Sequence, residues 1–331
     1  MNNPEKAIDL IFDSSIPFEE RCAKIFQFQA KSNPIYKRFI EPFGFDATDQ
    51  PGLKKIPLFP IRGFKDGKMV IQTDQDFELT FKSSGTSDMN RSVHYILSQK
   101  IYERSIVEEF GKYFSFDEYI VLFHLPGYNK NFQSSLIWMA NYLIKSDPSG
   151  KSQFIAQGDL NDLHSLFPNR DKKILLFGAA FGLMDIVESG EFTQVDGIEI
   201  LETGGMKTHR REMTKPELRR ELADGFGVSQ KSIHSEYGMC ELLSQMYAIA
   251  GEWFESPHWV QISIRDPKNP SRICEPGENG KIGIIDLANV YSCPFILTND
   301  KGVMNSKGQF KILGRWNSED LRGCNFLIDH E

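Results

Sequence analysis

No stretch of this chain approaches the ~18 consecutive apolar residues of a membrane-spanning helix. Met1-Asn2-Asn3-Pro4-Glu5-Lys6 has neither the basic start nor the apolar run of a secretion signal. Those two absences predict a cytoplasmic protein with no membrane span. The five cysteines, Cys22, Cys240, Cys274, Cys293 and Cys324, form no C-x-x-C pair, so neither a disulfide framework nor a zinc site is expected. Each is then a free thiol and a candidate nucleophile. Positive charge is short: 38 Lys and Arg stand against 45 Asp and Glu, for a net charge of −7. A nucleic-acid or acidic-membrane binder needs the opposite balance to neutralise phosphates, so no nucleic-acid partner is expected, whereas a single nucleotide in a local pocket is compatible. The dinucleotide fingerprint G-x-G-x-x-G is missing, as are internal repeats and low-complexity tracts.

What is present is an ordinary globular composition, 40% hydrophobic and 25% charged over 331 residues, enough for one large domain or two. The pattern alternates between strands and helices, which predicts an α/β architecture of layered sheets with a smaller β-rich subdomain. Residues 1–80 read as a helical and then extended segment packing on the core: Pro17 to about Ser32 has helical spacing, and the region of Pro51, Pro57 and Pro60 reads as a connector. Residues 81–258 read as the α/β core. Within them the expectations are a helix from Tyr95 to about Phe114, strands at Tyr119–Phe123, Lys173–Phe177 and Ile198–Glu202, and a helix capped by Thr214 with Glu217 and closed by Gly225. Gly178 and Gly182 read as packing glycines. Residues 259–313 read as short strands, Val260–Ile264, Lys281–Asp286, Phe295–Leu297 and Gln309–Leu313, and residues 314–331 as a truncated hinge and tail.

Against this background one run stands out, Phe81-Lys82-Ser83-Ser84-Gly85-Thr86-Ser87-Asp88. Hydroxyls and backbone N–H groups around a glycine make an anion nest, with a lysine at its head, although a solvated turn has the same composition. Further on, Tyr237-Gly238-Met239-Cys240-Glu241 puts an aromatic ring four residues from a carboxylate, suited to stacking on a base and holding a divalent ion. Taken singly, these residues are also what a common turn and a helix cap contain. Thr298-Asn299-Asp300-Lys301-Gly302 places a carboxylate in an expected turn, where it can accept two ribose hydroxyls or form an ordinary Asx turn. Gly314-Arg315 and Arg322-Gly323 offer two arginines for phosphate, or a charged surface turn.

The order Ser-Ser-Gly-Thr, Tyr-Gly-Met-x-Glu, Thr-x-Asp, Gly-Arg…Arg-Gly resembles the adenylate-forming superfamily of acyl-CoA ligases, adenylation domains and firefly luciferases, over about residues 80 to 324. The stretches Phe81–Thr86, Ile233–Gln245, Ile284–Cys293 and Gly314–Leu327 look like its acyl-protein synthetase (LuxE-type) branch.

The resemblance implies the N-terminal domain fold of adenylate-forming enzymes, ATP and Mg²⁺ as cofactors, and activation of a carboxylic acid, a fatty acid in that family, to acyl-AMP. The acyl group then passes to a thiol, and an acyl-accepting reductase or acyl-carrier partner is implied. By the same resemblance Lys82, Ser83, Ser84, Gly85, Thr86 and Ser87 would grip the β- and γ-phosphates, and Gly204 and Gly205 would flank the adenine with Tyr237 and Gly238. Glu241 would hold Mg²⁺, Asp300 the ribose hydroxyls and Arg315 the α-phosphate side. His124, in His124-Leu125-Pro126-Gly127, would gate the acyl pocket or serve as a structural histidine, and Cys324 would accept the acyl group or pack as a small apolar residue. Two departures matter. Ser87-Asp88 replaces the usual Thr-Gly, and the chain runs 17 residues past Gly314, short of the C-terminal lid domain, as in acyl-protein synthetases. An acyl-CoA or acyl-carrier-protein ligase, and a non-catalytic nucleotide-binding subunit of a multienzyme complex, are the alternatives.

Overall fold

The computed structural model describes residues 3–83, 91–127, 133–167, 170–205 and 213–316. The chain divides into two compact units, one made of Met1–Leu79, Ser92–Ser98 and Ser256–Glu331, the other of Thr80–Arg91 and Gln99–Glu255.

The second unit is built on a 6-stranded sheet in the order Gln153–Phe154, Tyr119–His124, Lys173–Ala179, Ile198–Thr203, Ile233–Tyr237, Met246–Ala248. All neighbours are parallel except the last pair. Its central strands are buried on both faces, which is why Tyr119–His124 and Lys173–Ala179 read as near-continuous apolar runs. On one face Ile120, Leu122, Ile174, Leu176, Ile198 and Ile200 pack with helices Ala180–Ser189 and Lys215–Phe226. On the other, Phe110 of helix Gln99–Tyr113 and Phe114 just beyond it pack edge-on against Tyr247, and Phe114 also meets the His234 ring.

Gly178 and Gly182 are packing glycines, as expected. A Cβ on Gly178 would lie 2.6 Å from Leu183, and one on Gly182 would lie 2.6 Å from Pro126 and 3.3 Å from His124. Thr214 caps its helix as expected, its hydroxyl accepting from the Glu217 N–H at 3.4 Å. The helix is not closed by Gly225, however. It runs to Phe226 and ends at Gly227, whose φ of 64° is left-handed. Gly225 is needed for close approach instead, since a Cβ there would lie 2.3 Å from Val187 of the neighbouring helix. The helix expected from Tyr95 begins at Gln99, because Val93–Ile96 is a strand.

The first unit packs helices Pro4–Phe12, Phe18–Ser32 and Pro34–Ile40 on a 5-stranded sheet. Three antiparallel strands, Val260–Arg265, Asn279–Asp286 and Phe295–Met304, carry Phe310–Arg315 on one stretch of the last and Phe59–Pro60, running parallel, on another. The proline-rich connector therefore contributes an edge strand, where proline is tolerated. Buried polar side chains fasten the helices: Gln29 donates to the Val290 carbonyl at 2.6 Å, Asn33 to the Ser292 carbonyl at 2.8 Å and Arg21 to the His258 carbonyl at 2.8 Å. Tyr36 stacks on Phe295 with ring centroids 5.1 Å apart.

Asp300 does not sit in a turn. The strand expected to stop at Leu297 continues to Met304, and Asp300 lies inside it opposite Arg315. A register shift between Lys301 and Gly302 absorbs the polar, glycine-containing sequence that looked like a strand end.

Candidate functional site

In the second unit the parallel strands share a register that carries their carboxyl ends to one edge. His124 is opposite Gly178, Ala179 opposite Thr203, and Thr203 opposite Glu236. Ligands of open parallel sheets bind outside such an edge, because the loops leaving it diverge there. Five sequence-predicted residues follow on from it. Gly204 and Gly205 come directly after Ile198–Thr203, Tyr237 ends Ile233–Tyr237, and Gly238 and Glu241 lie in the turn beyond. His124 ends its own strand at the same edge.

Gly204 has a φ of 75°, a conformation that side chains rarely adopt. Among the described residues no atom lies within 4 Å of a Cβ built on Gly204 or Gly205. A flat base fits against backbone that carries no side chain. The Tyr237 ring is buried and meets Phe254 edge-on at 6.1 Å. Glu241 is buried too. Among the described residues no three His, Cys, Asp or Glu side chains converge on one point. A glutamate carboxylate is an oxygen donor of the kind Mg²⁺ takes, the rest of its shell being waters and phosphate oxygens.

His124 is buried, with Nδ1 3.2 Å from the Ile155 carbonyl, so Nδ1 is the protonated nitrogen. Burial pushes its pKa down, partly offset by that carbonyl and by Asp185. The ring is thus neutral at physiological pH. Lys82 ends strand Leu79–Lys82, its N–H donating to the Gln133 carbonyl at 2.8 Å, and Ser83 follows it. Ser84, Gly85, Thr86 and Ser87, and Cys324, lie outside the described residues.

Asp300 and Arg315 belong to the first unit, where they face each other on paired strands with Nε 3.2 Å from Oδ1.

Several residues at the sheet edge escaped sequence reasoning. Ile233–Tyr237 is a fully buried strand although it contains His234, Ser235 and Glu236. Glu236 accepts the Thr203 hydroxyl. Burial pushes its pKa up to about 7, with the charge of Glu202 adding to the effect and the Thr203 hydrogen bond and Lys215 opposing it. Glu202 accepts from Ser235 Oγ at 2.5 Å and pairs with Lys215 at 2.6 Å, and Lys215 Nζ also stands 3.5 Å from the Gly204 carbonyl. The available signal was positional: Thr203 precedes the Gly204-Gly205 pair and Glu236 precedes Tyr237.

A family model described as acyl-protein synthetase, LuxE, matches residues 129–331. The long-chain-fatty-acid–luciferin-component ligase of Vibrio harveyi is 23% identical over 326 residues, covering 90% of this chain and 84% of that protein. The ligase of the same name from Aliivibrio fischeri is 24% identical over 297 residues, covering 82% and 77%. Among solved structures, 2-hydroxyisobutyryl-CoA ligase in its postadenylation state with 2-HIB-AMP superposes with a TM-score of 0.68 at 12% identity, covering 90% of this chain and 67% of that one. ATP-bound MatB from Rhodopseudomonas palustris superposes with a TM-score of 0.54 at 15% identity, covering 74% and 49%. These likenesses give the fold, that of the adenylate-forming enzymes. The family match spans more than half of the 331 residues, and the chain belongs to the acyl-protein synthetase family, LuxE, as a ligase.

Proposed function

We propose that this ligase activates a fatty acid with ATP to acyl-AMP and passes the acyl group to Cys324. The observation that carries the reading is the sheet edge, where among the described residues no atom lies within 4 Å of a Cβ on Gly204 or Gly205, and the adjacent strand ends in Tyr237 with Gly238 and Glu241 following. A carboxylate has no adequate leaving group. Its oxygen attacks the α-phosphorus of ATP, the bond to pyrophosphate breaks, and the mixed anhydride then has AMP to expel. The thiol sulfur attacks the acyl carbonyl, AMP departs, and the thiol proton goes to solvent.

In this scheme Lys82 and Ser83 begin the grip on the β- and γ-phosphates that Ser84, Gly85, Thr86 and Ser87 complete, supplying donors to charge that grows on pyrophosphate. Tyr237 lies along the adenine between the glycine turns. Glu241 would hold Mg²⁺, which when bound neutralises phosphate charge. Asp300 and Arg315 take the ribose and α-phosphate roles by family pattern. Neutral His124, at the carboxyl end of its strand, would border the acyl group.

The other thiols support Cys324 as acceptor. Burial pushes Cys22 and Cys293 up to about 12, raises Cys274, and puts Cys240 well above the usual thiol range with Glu241 adding to it. All four stay protonated and are poor nucleophiles. Labelled fatty acid and ATP test the assignment: label should appear on the wild-type chain in a hydroxylamine-sensitive bond and be missing from Cys324→Ser. Label retained on Cys324→Ser in such a bond overturns it.

A further inference from the structure

We propose that Glu236 is a positioning residue for the nucleotide, a buried brace that locks the Gly204–Gly205 turn and the Gly238 turn in fixed register across the sheet edge. This rests on the reading that those turns flank adenine.

The geometry joins the two turns through one carboxyl group. Thr203 and Glu236 are register partners on adjacent parallel strands, and the Thr203 hydroxyl donates to Glu236 Oε2. Thr203 is the last residue before Gly204. The other oxygen lies against the second turn, since a Cβ on Gly238 would stand 2.3 Å from Glu236 Oε1 and 3.6 Å from Gln245 Cγ. Gly238 is thus glycine to admit the carboxyl. Its φ is not among the positive ones, so backbone conformation does not require it.

The brace has a counterpart one residue back. Glu202 and Ser235 are also register partners, and Ser235 Oγ donates to Glu202 Oε1 at 2.5 Å. Alternation along the strands puts this pair on the opposite face. There Lys215 neutralises Glu202 at 2.6 Å. Among the described residues Glu236 has no such cation partner. On its own face its charge acts on the hydroxyls of Tyr102 and Tyr247, while the charges of Glu202 and Lys215 reach it from across the sheet. Burying an unpaired carboxyl is costly, and its proton is what makes the position tolerable. Ionisation would add a second buried negative charge to that of Glu202 on the neighbouring strand, on the other face of the sheet.

The test is the dissociation constant of MgATP with the full-length chain, measured from about pH 6 to about pH 8 for wild type, Glu236→Gln and Glu236→Ala. Wild type should bind about tenfold more weakly at the upper end than at the lower, equivalent to about 1.4 kcal/mol. Glu236→Gln, which keeps the hydrogen bond and cannot ionise, should match wild type at the lower end and stay level. Glu236→Ala should bind weakly throughout, with kcat for pyrophosphate exchange less affected than KM for ATP. Glu236→Gln following the wild-type profile, or Glu236→Ala binding as wild type does, overturns the proposal. A wild-type chain that binds no MgATP at any pH instead overturns the adenylation reading, and the brace with it.

Discussion

The Arg315 guanidinium meets the Asp300 carboxylate across paired strands, Nε to Oδ1 at 3.2 Å, with 82% of the arginine side chain exposed and 14% of the aspartate. An ion pair with one partner so open to water contributes at most about 1 kcal/mol. If Asp300 holds ribose hydroxyls, Asp300→Asn should leave the unfolding free energy within about 1 kcal/mol of wild type and raise KM for ATP by roughly tenfold or more, the value of a hydrogen bond to a charged acceptor. Chemical denaturation and steady-state kinetics on the same protein check both halves. A large stability loss with unchanged KM would assign the residue to the fold.

Glycines in the second unit should divide by what surrounds them. Gly182→Ala puts a Cβ 2.6 Å from Pro126 and 3.3 Å from His124, and should cost about 1–3 kcal/mol of stability from overpacking. Gly205→Ala puts a Cβ within 4 Å of no atom among the described residues and should leave stability within about 0.5 kcal/mol, while raising KM for ATP. Thermal unfolding separates the two.

Gly238→Ala should also destabilise the protein, and the cost should shrink when Glu236→Ala has vacated the space. A double-mutant cycle in denaturant should give a coupling of at least about 0.5 kcal/mol between residues 236 and 238, and additivity would mean that the close approach does not matter.

Stability should fall as the solution becomes less acidic. Glu236 and Glu109 are both pushed up to about 7, chiefly by burial. Each therefore holds its proton in the folded state over a range where the unfolded chain has released it. Between the ordinary glutamate range and about pH 7 each lowers stability by up to about 1.4 kcal/mol per pH unit, and the effect levels off above. Glu236→Gln and Glu109→Gln should flatten that slope. Glu199 acts oppositely. The His234 hydrogen bond holds it down to about 2, so its contribution is present above the ordinary glutamate range and lost as pH falls through about 2.

The central parallel strands were legible because burial on both faces demands apolar runs, and the turns at Gly204 and Gly238 because glycine marks them. Ile233–Tyr237 was not legible as a strand: His234, Ser235 and Glu236 look like a loop, and only partners brought from elsewhere, Glu199, Glu202 and Thr203, make their burial tolerable. Asp300 looked like a turn for a similar reason, since its partner Arg315 arrives from the next strand. Gly225 and Gly227 could not be told apart by spacing alone. Gly227 ends the helix through its left-handed φ of 64°, whereas Gly225 makes room for Val187 of a neighbouring helix. The ligand-holding role proposed for the site rests on motif order, because no single motif distinguishes phosphate binding from an ordinary turn.

The most direct test of acyl activation is exchange of labelled pyrophosphate into ATP, measured with straight-chain, aromatic and hydroxylated acids. Exchange that depends on added acid, strongest with straight-chain fatty acids and retained by Cys324→Ser, is the predicted result. Binding of ATP with no exchange for any acid would contradict it and make the chain a nucleotide-binding subunit without adenylation chemistry.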